Sequence, residues 1–398
     1  MPGPPDVLVV GAGPSGLLLA GILAGGGARV TVLESRETPD TQTRASTLHA
    51  RAMEILDSHG VVFAPRLPRG TQGHYGGLPV DLSRVRSAQA GVWRCPQPEL
   101  VRTLGDWASH RGVRVQRGEH VVSVREREGR CEVTTRTGRT FGAALLVASD
   151  GQESTVRSLL GIGYAGAPPA RVLVQADLHH CEVPRRRFER RGRFTVTAAP
   201  LSAEVTRVLI HDPRWPAGEE RSAEDLRAAW RDATGEGLPV EPSWVRTFGD
   251  DTRVARRLVE GRFVLCGDAA HPFVPIGGQA LNTSLVDADA LGHRALRHLR
   301  TGDPRALLDY QRERSAWLEV LAQRLRVQAR LLFDTDEATT AYKAHVAERL
   351  DTDEVFRAGI ADCLAGVDAP GPTAPGRAGN DGGDVVRPLD DHIPEVAP

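Results

Sequence analysis

Lysine is almost absent from this chain of 398 residues: Lys343 is the only one, and arginine carries the rest of the positive charge. The bias fits a GC-rich coding sequence and carries no mechanistic information. An excess of charge of one sign is also lacking. The formal net charge is −1, which removes the electrostatic argument for nucleic acid or an anionic membrane as a partner. The five cysteines (Cys95, Cys131, Cys181, Cys266 and Cys363) include no C-x-x-C pair or other close spacing, so neither a zinc ribbon nor a vicinal redox disulfide is indicated. An odd, scattered set suits a reducing compartment. Long hydrophobic runs are missing too. The apolar stretch near the N-terminus is too short for a membrane span or a secretory signal and has no basic residues before it. The expectation is a cytoplasmic protein with no membrane partner, no metal site and no internal repeats; nothing in the sequence bears on oligomeric state.

What remains is an ordinary globular composition, 40% hydrophobic and 25% charged, in a chain long enough for two or three domains. Asp6–Val10 reads as a buried strand that meets a glycine turn. A helix follows from Pro14 to Leu23, closed by Gly25, Gly26 and Gly27 as left-handed cap residues, and then a strand over Arg29–Leu33. Strand, glycine turn, helix and strand within about 30 residues make a βαβ unit. A helix over Asp106–His110 and strands over Val113–Gln116, Glu132–Arg136 and Leu145–Ala148 come next, the last ending at Asp150-Gly151. From 166 to 254 the residues alternate polar and apolar, the signature of antiparallel strands, interrupted by one helix over Ala223–Ala233. A buried strand over Arg262–Leu265 precedes a mostly helical stretch from Leu281 to Leu364. From Asp368 the chain is rich in Pro, Gly and Asp without periodicity, which predicts a poorly ordered tail.

Three motifs carry chemistry. In Gly11-Ala12-Gly13-Pro14-Ser15-Gly16 the glycines permit a tight turn and let the backbone approach a pyrophosphate, which rests on the free N–H groups of the helix start. Glu34 closes the next strand, 23 positions after Gly11, where a carboxylate accepts hydrogen bonds from ribose hydroxyls and repels a 2′-phosphate. Gly161-Ile162-Gly163-Tyr164-Ala165-Gly166 fits the same pattern but follows a helix over Ser154–Leu160 and opens none, so it reads as a turn. The third motif is Cys266-Gly267-Asp268-Ala269-Ala270-His271-Pro272 followed by Pro275-Ile276-Gly277-Gly278-Gln279-Ala280-Leu281-Asn282. A strand delivers Asp268 to a nucleotide, and the glycine-rich segment opens a long helix whose N–H groups favour negative charge.

Together with Asp150-Gly151, these runs resemble the para-hydroxybenzoate hydroxylase-type flavin monooxygenases, and within them the aromatic polyketide hydroxylases. The resemblance implies an α/β fold: a Rossmann-like FAD domain split over 1–75, 96–165 and 255–300, an antiparallel substrate sheet over 76–95 and 166–254, a helical region over 301–365 and a disordered tail over 366–398. It implies that Gly11, Gly13, Ser15 and Gly16 hold the FAD pyrophosphate, and Glu34 the adenosine ribose, with Arg36 nearby. Arg44 reaches back to FAD, and Gln97 contacts the ribityl chain. Asp150 and Gly151 serve FAD and a transient NADPH or NADH, with Arg157 assisting. Gly267 and Asp268 bind the ribityl, and Pro275, Gly277, Gly278, Ala280, Leu281 and Asn282 the flavin ring. The implied reaction uses NAD(P)H and O2, through a flavin C4a-hydroperoxide, to hydroxylate a small phenolic or polyketide-derived aromatic substrate. No catalytic side chain is assigned.

The sequence departs from the family at Ala280, which replaces a usual glycine, and at His293-Arg294, which replace a tryptophan-lysine pair. The thioredoxin-like C-terminal domain of many polyketide hydroxylases is not seen. Other oxygenations (Baeyer–Villiger, epoxidation) and a non-catalytic flavin-binding role stay open, while the lack of a Trp-x-Trp pair speaks against halogenation. His179-His180-Cys181 reads as a strand end, because neighbours on a strand point to opposite faces. Arg185–Arg187 with Arg190, Arg191 and Arg193 reads as an exposed hairpin tip, His271 as a structural partner, and His49 as a residue facing the pocket.

Overall fold

The computed structural model describes residues 5–166 and 168–369. Strand β1 (Val7–Val10) is buried along its whole length, as a central parallel strand must be. Helix α1 (Pro14–Gly25) starts with a proline, whose missing N–H costs nothing in the first turn. It buries every residue from Pro14 to Leu23, so it lies inside the domain, packed on its neighbouring helices. The helix runs through Gly25, and only Gly27 takes left-handed backbone, with φ 92°. Strand β2 (Val30–Glu34) then pairs in parallel with β1.

Strand β3 (Thr47–His49) leads directly into α2 (Ala50–Ser58). After β4 (Arg69–Gly70) come a hairpin of β5 (Gln72–Tyr75) and β6 (Leu78–Asp81), then β7 (Val92–Arg94), which pairs with β3 and β4. Residues 76–95, expected in the substrate sheet, are therefore corrected: β6 pairs with β5, and β7 with β3 and β4. Short strands of this kind carry too little periodicity to reveal a partner. Helix α3 (Gln97–Ser109) returns the chain to β8 (Arg114–Arg117), parallel to β2. A meander of β9 (Val121–Arg127), β10 (Arg130–Thr135) and β11 (Thr140–Ala143) precedes β12 (Leu145–Ala148), which lies beside β1. Ser154 caps the short helix α4 (Thr155–Leu159), and β13 (Tyr164–Ala165) follows without a helix, as the second glycine pattern required.

The alternating region forms a five-stranded antiparallel sheet from β14 (Val172–His179), β15 (Arg186–Arg191), β16 (Phe194–Pro200), β17 (Val205–His211) and β18 (Trp244–Gly249), in the order β15-β16-β17-β14-β18. Helix α5 (Ala223–Thr234) sits between β17 and β18 in sequence, held by a Ser222/Asp225 capping box. The two faces of β14 divide cleanly. Val172, Val174, Ala176 and Leu178 join Leu226 and Trp230 of α5 in one core, whereas Leu173 joins the core of the first domain.

Strand β19 (Val254–Ala255) pairs with β13. Strands β20 (Val259–Glu260) and β21 (Phe263–Leu265) complete a six-stranded sheet, β20-β21-β12-β1-β2-β8, parallel except at β20. Four helices finish the described chain: α6 (Gln279–Thr301), α7 (Arg305–Phe333), α8 (Glu337–Thr352) and α9 (Glu354–Ala365). Beyond 366–369 the expected tail lies outside the described residues. Among the described residues, no helix is long and apolar enough to cross a membrane.

The arginine run is a hairpin tip only in part: Arg185, Arg187 and Arg191 are exposed, but several of its guanidiniums are tied to the protein. Arg186 is 8% exposed and paired with Glu189 and Glu236. Arg187 donates to the carbonyls of Gln72 and Gly73, Arg190 to that of Leu332, and Arg193 to Asp212. The guanidiniums pin the edge strand β15 to the β5 hairpin and to the end of α7, using acceptors that a local reading of the run does not contain.

Candidate active site

The carboxyl ends of the parallel strands open into a cleft of about 500 Å³, where β1 turns into α1 between its neighbours β2 and β12. This is the crevice in which doubly wound sheets bind ligands. Gly11 has φ 103°, and a Cβ there would lie 2.3 Å from the Ser149 carbonyl oxygen, so no side chain fits. Gly13 has nothing within 4 Å of a built Cβ, which leaves an open cradle at the start of α1. Beside it the buried hydroxyl of Ser149 lacks a hydrogen-bond partner. An orphaned polar atom and an open helix N-terminus suit a bound diphosphate. Glu34 accepts from the backbone N–H groups of Ala12 (2.8 Å) and Arg36 (2.9 Å), which holds its carboxylate at the rim.

Of the residues expected at the site, Gly11, Gly13, Ser15, Glu34, Arg36, Arg44, Gln97, Asp150, Gly151, Asp268, Pro275, Ala280 and Leu281 line this cleft. Several act on the protein as well. Gln97 accepts from Ala45 N–H at 3.2 Å and so fixes the loop that carries Arg44. Asp150 accepts from the Ser154 hydroxyl (2.5 Å) and Val156 N–H (3.1 Å) at the start of α4. Burial nonetheless raises its carboxyl above the ordinary range. Asp268 faces the open cleft, with Ser284 donating at 3.2 Å. Protein crowds its other sides, and this desolvation pushes its carboxyl up as well.

The remaining expected residues stand behind the cleft wall. Gly16 packs against the Gly11 carbonyl, and Gly267 against Ser15 and Ser284. Gly277 and Gly278 bend the loop before α6 through left-handed backbone (φ 62° and 73°). Asn282 braces that loop: it accepts from His49 N–H (2.7 Å) and donates to the carbonyls of Thr47 (3.1 Å) and Gly278 (2.8 Å). Arg157 is not brought to the cleft. Its guanidinium lies 3.9 Å over the Tyr164 ring. His49 is also turned away, buried behind Gly278.

The far wall comes from the expected five-stranded sheet, whose individual cleft-lining residues sequence reasoning missed. Gln175, Trp244, Arg246 and Phe248 line the cleft. The i, i+2, i+4 spacing of Trp244, Arg246 and Phe248 along one strand was the available signal. Arg207 is paired with Asp177 at 2.8 Å and donates to the Thr43 carbonyl, so it ties this sheet to the Arg44 loop, and Trp244 donates to Asp177 at 3.0 Å. Burial, with Arg44 adding to it, lowers the Arg246 guanidinium below its ordinary range, against an opposing pull from Asp268. It stays cationic.

Two histidines behind the loop make the fold acid-sensitive. Burial lowers His49 to about 4 and His74 to about 3. An unfolded imidazole takes up its proton near pH 6.5 while His49 in the folded chain resists to about pH 4, so stability rises with pH across that window and is lost as pH falls. The urea midpoint is expected to drop between about pH 7 and about pH 4.5, and to drop less in His49→Gln. Equal drops in both proteins would refute the assignment.

The chain belongs to the family described as FAD binding domain, which matches residues 5–325. Rifampicin monooxygenase of Streptomyces venezuelae is 33% identical over 371 residues, covering 88% of this chain and 76% of that one. CabE, an aromatic hydroxylase from angucycline biosynthesis, superposes with a TM-score of 0.86 at 32% identity, over 92% of this chain and 77% of CabE. The Diels-Alderase PyrE3 from the pyrroindomycin pathway superposes at 0.84 with 29% identity, over 92% and 81%. The fold and the family together define an FAD-dependent enzyme of the aromatic monooxygenase class.

Proposed function

We propose that this enzyme uses NADH or NADPH and O2 to hydroxylate a small phenolic or polyketide-derived aromatic molecule. One observation carries the reading: the β1–α1 turn, the Asp268 loop and the start of α6 converge on a single cleft that the antiparallel sheet closes from the other side. When bound, FAD supplies the oxygen-activating chemistry. The chain supplies position and charge. N–H groups at the start of α1 hold the diphosphate, Glu34 accepts from the adenosine ribose, and Asp268 accepts from a ribityl hydroxyl. The N-terminus of α6 favours negative charge on the pyrimidine edge. Arg44 and Arg246, near enough to act on each other, both add positive charge to the cleft, and the sheet keeps water out. No nucleophile is asked of the protein. The five cysteines are unpaired, which suits action in the reducing cytoplasm.

A second reading rests on the likeness to PyrE3: ring formation in a flavin-bound pocket with no net oxidation. FAD-loaded protein incubated with NAD(P)H and a panel of polycyclic phenols separates the two. Hydroxylation is expected to consume one NAD(P)H per product, and the product gains one oxygen atom by mass spectrometry. An isomeric product formed without NAD(P)H would replace the hydroxylase reading with the cyclase.

A further inference from the structure

We propose that His59, Asp289 and His293 form a surface site for one divalent late first-row cation, zinc foremost. It lies apart from the dinucleotide cleft and does not depend on the chemistry there. Asp289 and His293 are four residues apart on α6, so both side chains leave the same face of that helix. His59 immediately follows the last residue of α2 and faces them. Its Nε2 lies 2.7 Å from Asp289 Oδ1, and His293 Nε2 lies 3.4 Å from the same oxygen. One ligand atom from each of the three residues falls within 4.8 Å of the others. The two imidazole rings are 5.9 Å apart between centroids, with planes inclined by 30°. A zinc ion bound through both Nε2 atoms at about 2 Å would place two ring centres about 5 to 6 Å apart, so the rings already stand where shared coordination puts them.

Charge points the same way. Asp289 is buried, with its Oδ1 facing both imidazoles. Two residues earlier on the helix, Asp287 has an arginine, Arg314, as its partner. Among the described residues, the only ion-pair partners of Asp289 are these two imidazoles. A divalent cation would add countercharge to this buried carboxylate.

The first ligand is held in advance. The carbonyl of His59 accepts from Trp107 Nε1 (3.2 Å) and from Arg111 (3.3 Å), and its ring stands edge-on to Trp107. His293 is half-exposed, which opens the site to incoming metal and leaves further coordination to water. Imidazole and carboxylate donors suit zinc, cobalt and nickel. Asp289 lies seven residues beyond Asn282, roughly 10 Å along the helix axis, so the metal would clamp the end of α2 to α6 and take no part in the reaction.

The test is calorimetric titration of chelator-treated, FAD-loaded protein with zinc chloride, together with the visible absorption of the cobalt form. Expected are one zinc per chain, a raised melting temperature, and loss of both in His293→Ala, whose half-exposed side chain can be removed without harm to the core. His59→Ala should lose them as well, and a His179→Ala/His180→Ala control should keep them. No saturable zinc uptake, or one-to-one binding unchanged in His293→Ala, would overturn the site.

Discussion

Asp268→Ala is expected to leave a folded protein that no longer retains FAD through purification. Asp268 makes one hydrogen bond within the protein, from Ser284 at 3.2 Å, and faces the cleft. Its side chain is exposed to the cleft, so the flavin-free fold should depend on it little. Alanine removes the acceptor for a ribityl hydroxyl. A hydrogen bond to a charged group is worth about 1.5–3 kcal/mol, so FAD affinity should fall by about tenfold to a hundredfold. Quenching of flavin fluorescence on titration measures the affinity, and urea unfolding of the flavin-free protein measures the fold. The expected pair is weaker FAD with unchanged apoprotein stability. Wild-type affinity would remove Asp268 from the site, and a collapse in stability would recast it as structural.

Asp287→Ala should be the most damaging substitution to the fold. Asp287 is fully buried and accepts from Arg314 Nε at 2.6 Å and from His271. Burial alone would raise its carboxyl, but Arg314 and His271 outweigh it and hold the group below the ordinary carboxylate range. These contacts join α6, α7 and the loop carrying Asp268. Removing the carboxylate strands the guanidinium of Arg314, which is 2% exposed, in the core. Breaking one side of a buried pair costs about 3–5 kcal/mol, whereas apolar replacement of both partners is often close to neutral. The urea midpoint should therefore fall sharply in Asp287→Ala and less in the double variant Asp287→Leu/Arg314→Met. A double variant at least as unstable as the single would show that packing, not charge, sets the cost.

The parts of this molecule that could be read from sequence are those whose physics is local. The turn Gly11–Gly16, Glu34 at the end of β2 and the strand–loop–helix around Asp268 each announce themselves within a few residues, because backbone conformation and helix starts depend on near neighbours. The alternation over 166–254 revealed strands, but not that β14 would lie between β17 and β18, since order in a sheet is set by contacts distant in sequence. The same limit explains the arginines at 185–193, whose partners come from residues such as Gln72, Glu236 and Leu332. Arg157 carries a related lesson. Its position in a family motif suggested the cofactor, while Tyr164, seven residues on, captures its side chain. His59 and Asp289, 230 residues apart, could be joined only by the packing of α2 on α6.

One wall of the cleft belongs to the six-stranded sheet and its helices, and the other to the strands β14 and β18. Whatever fills that cleft therefore adds to a join that Leu173, Leu209 and Phe248 already make between the two layers. A ligand at a hundredfold excess over its dissociation constant adds about 2.7 kcal/mol to the form that binds it. Without it the join between the layers should loosen, so limited proteolysis is expected to cut the flavin-free protein faster than the FAD-loaded one.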